Sequence, residues 1–400
     1  MTSKPPFDGV QSVPVKDVFD LQMGKTPSRN VTEYWNNGDH DWVSIKDLGS
    51  YGKYVGRTKE TISNLGVAES RIKVVPENTL IMSFKLSLGK TAITVAPTYT
   101  NEAIMAFLNK KAFPIDLNYM YHQFSAKDWT AGTNIAVMGK TLNKKTLGAA
   151  HICVPNIETQ REIASRLDYV CEQIRLVKQQ LALLDELVKS RFVEMFGDPV
   201  SNTMDWEIST IKETAVTYGD GPFGSNLKSS DYVDEGVRVI RLGNILTGSF
   251  SERDRSFVSF EKYERLKKYE CKPGEVVIGT LGDPLLRACI VPDFGVPSIH
   301  KADCMYYETD KSKVLPVFAM SVINQPTMLK RAMLDMHGQT RARINSTQVG
   351  NLPMMLPPLA LQQEFADFVN RVDKLRVEAQ AQKEKLQTLY DSLAQDYFAI

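Results

Sequence analysis

Residues 158–196 read ETQREIASRLDYVCEQIRLVKQQLALLDELVKSRFVEMF. The stretch contains no Pro, and the next Gly is Gly197, just past its end. Ile163, Leu167, Val170, Ile174, Val177, Leu181, Leu184 and Val188 alternate steps of four and three. That is a heptad seam, and a helix with such a stripe must bury it along a second helix. Thr159 with Glu162 fits a capping box at the start. At about 1.5 Å rise per residue the rod is roughly 55–60 Å long.

The chain supplies a partner. Residues 361–398 carry a second seam through Phe365, Val369, Val372, Ala379, Leu386, Leu389 and Leu393. Shifted by 202 positions, the two stretches register without a gap from Asn143/Asn345 to Phe196/Phe398. Twelve pairs in that run are identical, among them Pro155/Pro357, Gln160/Gln362, Glu162/Glu364, Ala164/Ala366, Leu184/Leu386, Ser190/Ser392 and Phe196/Phe398. Two helices with a duplicated seam pair most simply with each other. Arg376 and Lys383 stand where the first seam has Ile174 and Leu181, so the middle of the second is more polar.

Working outward, each rod follows a globular half. In residues 1–155, Thr79 to Phe84, Lys90 to Val95 and Ala103 to Leu108 read as strands, and Asp116 to Ser125 as a short helix. Residues 197–357 repeat this plan. Gly221 to Ser225 falls 197 positions after Gly24 to Ser28, and Arg241 to Ile245 falls 197 after Ser44 to Leu48. The same shift pairs Pro76 with Pro273, Ile81 with Ile278, Lys90 with Arg287 and Ile93 with Ile290. The expected fold is α+β: two similar, β-rich globular domains separated by two long antiparallel helices that form a coiled coil, with pseudo-twofold character. The expected boundaries are 1–155, 156–196, 197–357 and 358–400.

Four hundred residues with 43% hydrophobic content are enough for two real cores. The net charge of +1 excludes no partner, because a near-neutral chain can still gather its cations on one face. Five cysteines, at 153, 171, 271, 289 and 304, show no CxxC spacing, which fits a reducing compartment. The start MTSKPPFDG has no apolar signal-like core, and no apolar run reaches membrane-spanning length. The expected setting is the cytoplasm.

Paired domains on a rigid spacer suit a long target with two contact points. DNA is such a target, since equivalent groove positions recur about every 34–36 Å. The loops carry suitable donors. Lys25, Thr26, Ser28 and Arg29 sit beside Gly24, which permits close backbone approach; Lys85 and Lys90 flank the next loop; Thr133 and Lys140 precede the closing strand. The second half offers Phe223, Ser225, Asn226 and Lys228, then Arg238, Arg241 and Asn244, then Arg287, and finally Gln339, Arg341 and Arg343. These residue types pair with phosphates or base edges.

On these features the sequence resembles the DNA specificity subunits of Type I restriction–modification systems. The motifs that carry the resemblance are Gly-Lys-Thr-Pro-Ser at 24–28, Gly-Pro-Phe-Gly-Ser at 221–225, Val239 to Ile245, and the junction Leu356-Pro357-Pro358-Leu359-Ala360-Leu361-Gln362-Gln363-Glu364. Their order, twice over with two rods, spans almost the whole chain. The resemblance implies two target recognition domains, each binding one half of a bipartite, asymmetric double-stranded DNA sequence. It implies helices that set the spacer and dock two methyltransferase subunits, with two motor–nuclease subunits in the full complex. It implies no catalysis in this chain and no cofactor. The first junction departs from the pattern, with Asn156 where the second has Pro358. The loop from Gly132 to Asn143 is longer than that from Gly338 to Asn345.

Enzyme readings find no support in the motifs. Leu88-Gly89-Lys90-Thr91 is only the tail of a phosphate-binding loop, without its first Gly. The five His residues lie far apart, with no ligand spacing. The alternative from another class is a scaffold whose two domains bind proteins, with the helices as spacer.

Overall fold

Both seams fold as expected into long helices, α1 (Ile157–Phe196) and α2 (Leu359–Phe398), in a computed structural model that describes residues 11–85, 87–129, 142–334 and 343–398. The start of α1 differs from the sequence reading. Asn156 caps it, its side-chain oxygen accepting from the Thr159 N–H at 2.9 Å. Glu162 is therefore not part of a box and instead pairs with Arg166 at 2.6 Å. Gly197 ends the helix at φ +73, its N–H returning to the Val193 carbonyl.

The chain divides into two compact units, residues 1–178 with 381–400 and residues 179–380. Each takes one part of α1 and one part of α2, running antiparallel. In the first, Ile163, Ala164 and Leu167 of α1 share a core with Ala394 and Phe398 of α2. In the second, Phe192 and Phe196 of α1 join Phe365 and Val369 of α2. The four-phenylalanine cluster Phe192, Phe196, Phe318 and Phe365 is fully buried, and each such ring contributes about 1.5–3 kcal/mol. One seam expectation fails: Leu389 is exposed, and Tyr390 turns inward in its place.

In the first unit a four-stranded antiparallel sheet runs Phe19–Met23, Ile104–Asn109, Leu80–Ser83, Thr91–Ile93. Leu80 and Met82 face the helix-side core, while Ile81 faces a second core with Val43, Ile104 and Ala106. Both faces are buried, which explains why the strand reads as an unbroken apolar run. A smaller sheet runs Glu60–Ile62, Trp35–Val43, Tyr99–Thr100, the last pair parallel.

The second unit repeats that order with Ala215–Asp220, Cys304–Thr309, Val276–Gly279 and Arg287–Ile290. Its second sheet keeps the parallel pair, Val237–Ile240 with Ser298–His300, and has five strands. The strand register corrects the sequence alignment. Leu80 lies opposite Phe107 and Ile93, and Val276 lies opposite Tyr307 and Ile290. Leu80 thus matches Val276, and Ile81 matches Val277 rather than Ile278. The turn before the strand agrees, with Asn78 and Gly274 both at positive φ, so Pro76 matches Lys272 rather than Pro273. A one-residue slip would swap the faces of the strand. Lys90/Arg287 and Ile93/Ile290 hold as read.

Candidate nucleic-acid interface

In the first unit the loop after Met23 is pinned from beneath by two buried tryptophans. Trp42 Nε1 donates to the Lys25 carbonyl at 3.1 Å, and Trp35 Nε1 to the Ser28 carbonyl at 3.0 Å. Gly24 packs directly on the Thr100 and Asn101 carbonyls, leaving no room for a Cβ. Its close approach is to its own chain, as is that of Gly221 to His300 and Lys301 in the second unit. Lys25 Nζ donates to the Ser70 carbonyl at 2.5 Å. Thr26 donates to Glu102 and accepts from Asn101 Nδ2. Arg29 lies over the Trp35 ring, 3.7 Å from its centroid, and makes a two-point pair with Glu60 at 2.5 and 3.0 Å. The hydrogen bond to Glu60 raises the Arg29 pKa. Ser28 is exposed, and Lys85 reaches toward the Phe84 ring.

In the second unit Phe223 is 46% exposed, and the Arg343 guanidinium stands 5.4 Å from its ring centroid. Arg343 also pairs with Asp303 at 2.9 Å. Arg241 pairs with Asp254 at 3.0 Å and, with Lys301, flanks the Tyr232 ring. Asn226 and Lys228 are exposed on the first loop. Both units therefore present arginines held against an aromatic ring and a carboxylate, a charge-assisted arrangement that fixes the guanidinium plane.

The family model for the Type I restriction modification DNA specificity domain matches residues 8–186. The MjaIX specificity subunit of Methanocaldococcus jannaschii is 23% identical over 412 residues, covering 95% of this chain and 90% of that relative. Residues 8–186 belong to the Type I restriction modification DNA specificity domain family, and the chain as a whole is similar to Type I specificity subunits. The EcoprrI specificity subunit of Escherichia coli is 30% identical over 128 residues, 31% of each chain. The fold is shared with the solved Type I system S subunit from M. genitalium, at TM-score 0.52 and 14% identity over 99% of both chains. It is also shared with a structure described for complex assembly and conformational transition of the Type I system, at TM-score 0.57 and 16% identity over 98% of both chains. Such specificity subunits are non-catalytic, and the sheet order of the matched DNA specificity domain recurs in the second unit. No described helix is long and apolar enough to cross a membrane.

Several sequence candidates turn inward. Arg287 donates to the carbonyls of Leu242, Ile245, Leu281 and Pro284, at 2.6–3.1 Å. Lys90, its counterpart, lies close on Gly49 at the end of the matching helical turn. Asn244 is fully buried, its amide donating to Ser251 and Asp254 carbonyls and its oxygen accepting from the Arg241 N–H. Arg238 is buried between Phe257 and Phe294. Arg287, Asn244 and Arg238 brace loops and do not form an outer surface, whereas Lys90 is exposed. Thr133, Lys140, Gln339 and Arg341 lie outside the described residues, as does the side chain of Ser225. Glu60, Glu102, Asp254 and Asp303 were not among the candidates, because nothing local marks an acid that will pair with a cation far along the chain.

Proposed function

We propose that residues 1–155 and 197–357 each read one half of a bipartite, asymmetric double-stranded DNA target. Residues 156–196 and 358–400 set the unread gap and dock two methyltransferase subunits. Two motor–nuclease subunits join in the restricting complex, and the work is done in the cytoplasm. The observation that carries this reading is the same four-stranded sheet order occurring twice beneath loops of different chemistry. One scaffold then reads two different short sequences. A row of exposed apolar residues along α1, Tyr169, Leu176, Leu183 and Leu187, supports helix-on-helix docking, since its steps are seven, seven and four. Methylation-site mapping in a host carrying this chain and its methyltransferase tests the reading. The expected result is two short specified blocks around an unspecified gap; a single continuous site would contradict it.

A further inference from the structure

Arg29 has one edge of its guanidinium committed to an acid, and among the described residues no acceptor meets the other. Trp35 and Trp42 meet edge to face, 5.0 Å between centroids, and their N–H groups pin the loop at Lys25 and Ser28. The guanidinium lies on the Trp35 ring, which fixes its plane. Glu60 Oε1 and Oε2 accept from Nη1 and Nη2. A guanidinium carries five N–H donors, and Glu60 uses two, one from each terminal nitrogen. The Nε–H and one terminal N–H remain as a second parallel fork. The side chain is 49% exposed, so that fork is within reach of a ligand.

We propose that Arg29 reads a guanine in the first half-site, with Glu60 and Trp35 as positioning residues; this rests on the DNA-recognition function proposed above. Guanine presents two acceptors, O6 and N7, on its major-groove edge. Adenine offers one acceptor and one donor, thymine one acceptor and a methyl group, and cytosine a donor. Only guanine satisfies both arms of the fork. A phosphate could also accept them, and Glu60 decides against it. Its carboxylate already balances the guanidinium and repels a second anion, whereas a neutral base edge meets no such repulsion. The acid thus converts a general phosphate binder into a base reader. Stacking on Trp35 removes rotamer freedom before binding, so less ordering is needed when the base arrives.

The test uses the full chain assembled with its host's methyltransferase subunits and a duplex library randomised throughout. The wild-type pool should show one near-invariant guanine in the first half-site. A first half-site without guanine preference overturns the proposal, with no variant needed. A pool with no enriched sequence sinks the DNA-recognition reading instead. Arg29→Lys keeps the charge and loses the fork. It should relax that guanine by about tenfold or more while leaving the second half-site, which also reports folding, unchanged. Retained guanine preference in Arg29→Lys overturns the proposal. Glu60→Gln should weaken discrimination at the same position and raise affinity for unrelated DNA, a gain that a purely structural role would not give. Unrelated-DNA affinity equal to wild type removes Glu60 from the proposal. Should Arg29→Lys fail to assemble, the wild-type pool and Glu60→Gln decide.

Discussion

Gln160 and Gln362 make the same three hydrogen bonds, each within its own unit. Gln160 accepts from the Asp116 N–H at 2.8 Å and donates to the Pro114 and Pro155 carbonyls at 3.0 and 2.8 Å. Gln362 accepts from the Leu315 N–H and donates to the Lys313 and Pro357 carbonyls, at 2.9, 2.9 and 2.8 Å. Both are fully buried. Each fastens the first turn of a long helix to the segment that opens a body helix, so the duplicated residue marks a duplicated joint.

Truncating either glutamine strands a buried N–H and two carbonyls. Each stranded group costs about 1–3 kcal/mol, so Gln160→Ala and Gln362→Ala should each destabilise by about 3 kcal/mol or more. Urea unfolding measures this, and hydrogen exchange should show the loosened amides in the mutated unit. A loss under about 1 kcal/mol in either would contradict the joint.

Acid should weaken the first unit through Asp168. Burial alone would raise its pKa, but hydrogen bonds from His122 and Lys53, with the Lys53 charge, outweigh that and hold it low. A depressed folded value means the stabilisation is fully present above the unfolded carboxylate value of about 3.9 and is lost as pH falls through the folded one. Asp168→Asn should be less stable than wild type at neutral pH, with the gap closing below about pH 4. Thermal melts across pH 3–7 decide; a gap that persists unchanged into acid refutes the linkage.

Arg287→Ala should damage stability and not sequence choice. Four carbonyls lose their donor, at an expected cost of about 2–4 kcal/mol. Site mapping at a permissive temperature should return the wild-type target. An altered second half-site would show that the side chain reads DNA after all.

Arg343→Ala should do the opposite. Removing its exposed guanidinium strands no carbonyl and leaves only the buried Asp303 Oδ1 without its ion-pair partner, so melting should fall less than in Arg287→Ala. Binding of the second half-site should weaken by about 1–3 kcal/mol with the first half-site's preference unchanged. Competition binding with half-site variants separates the two.

Inserting one helical turn into α1 between Gln179 and Leu184 should lengthen the unread gap and leave both half-sites as they were. Mapped methylation sites with the original gap would count against the helices as spacer.

Much of the fold was legible because helices and strands announce themselves through short periods. The caps at Asn143 and Asn345, each closing a box with the residue three on, fall in the ungapped run that aligned the two rods. The strand alignment was less secure. Isoleucine faced isoleucine at 81 and 278, yet the chain takes the extra residue in the hairpin between Gly279 and Arg287, so the inward faces match one position earlier. Identity of residue type carried no information about which face a side chain takes.

The candidate interface was legible only as a supply of donors. Arg29, Arg241, Arg287 and Arg343 look alike in the sequence, and their surroundings separate them. Arg29 meets an acid 31 positions away, while Arg287 is spent on carbonyls up to 45 positions away. Two heptad seams and the repeated motifs between them determined that the chain builds one kind of unit twice on paired helices, because an apolar stripe must be buried wherever it occurs. Which cations stay outside with an open edge, and which brace the chain from within, was decided by tertiary structure alone, because burial and charge pairing depend on neighbours that the linear order does not bring together.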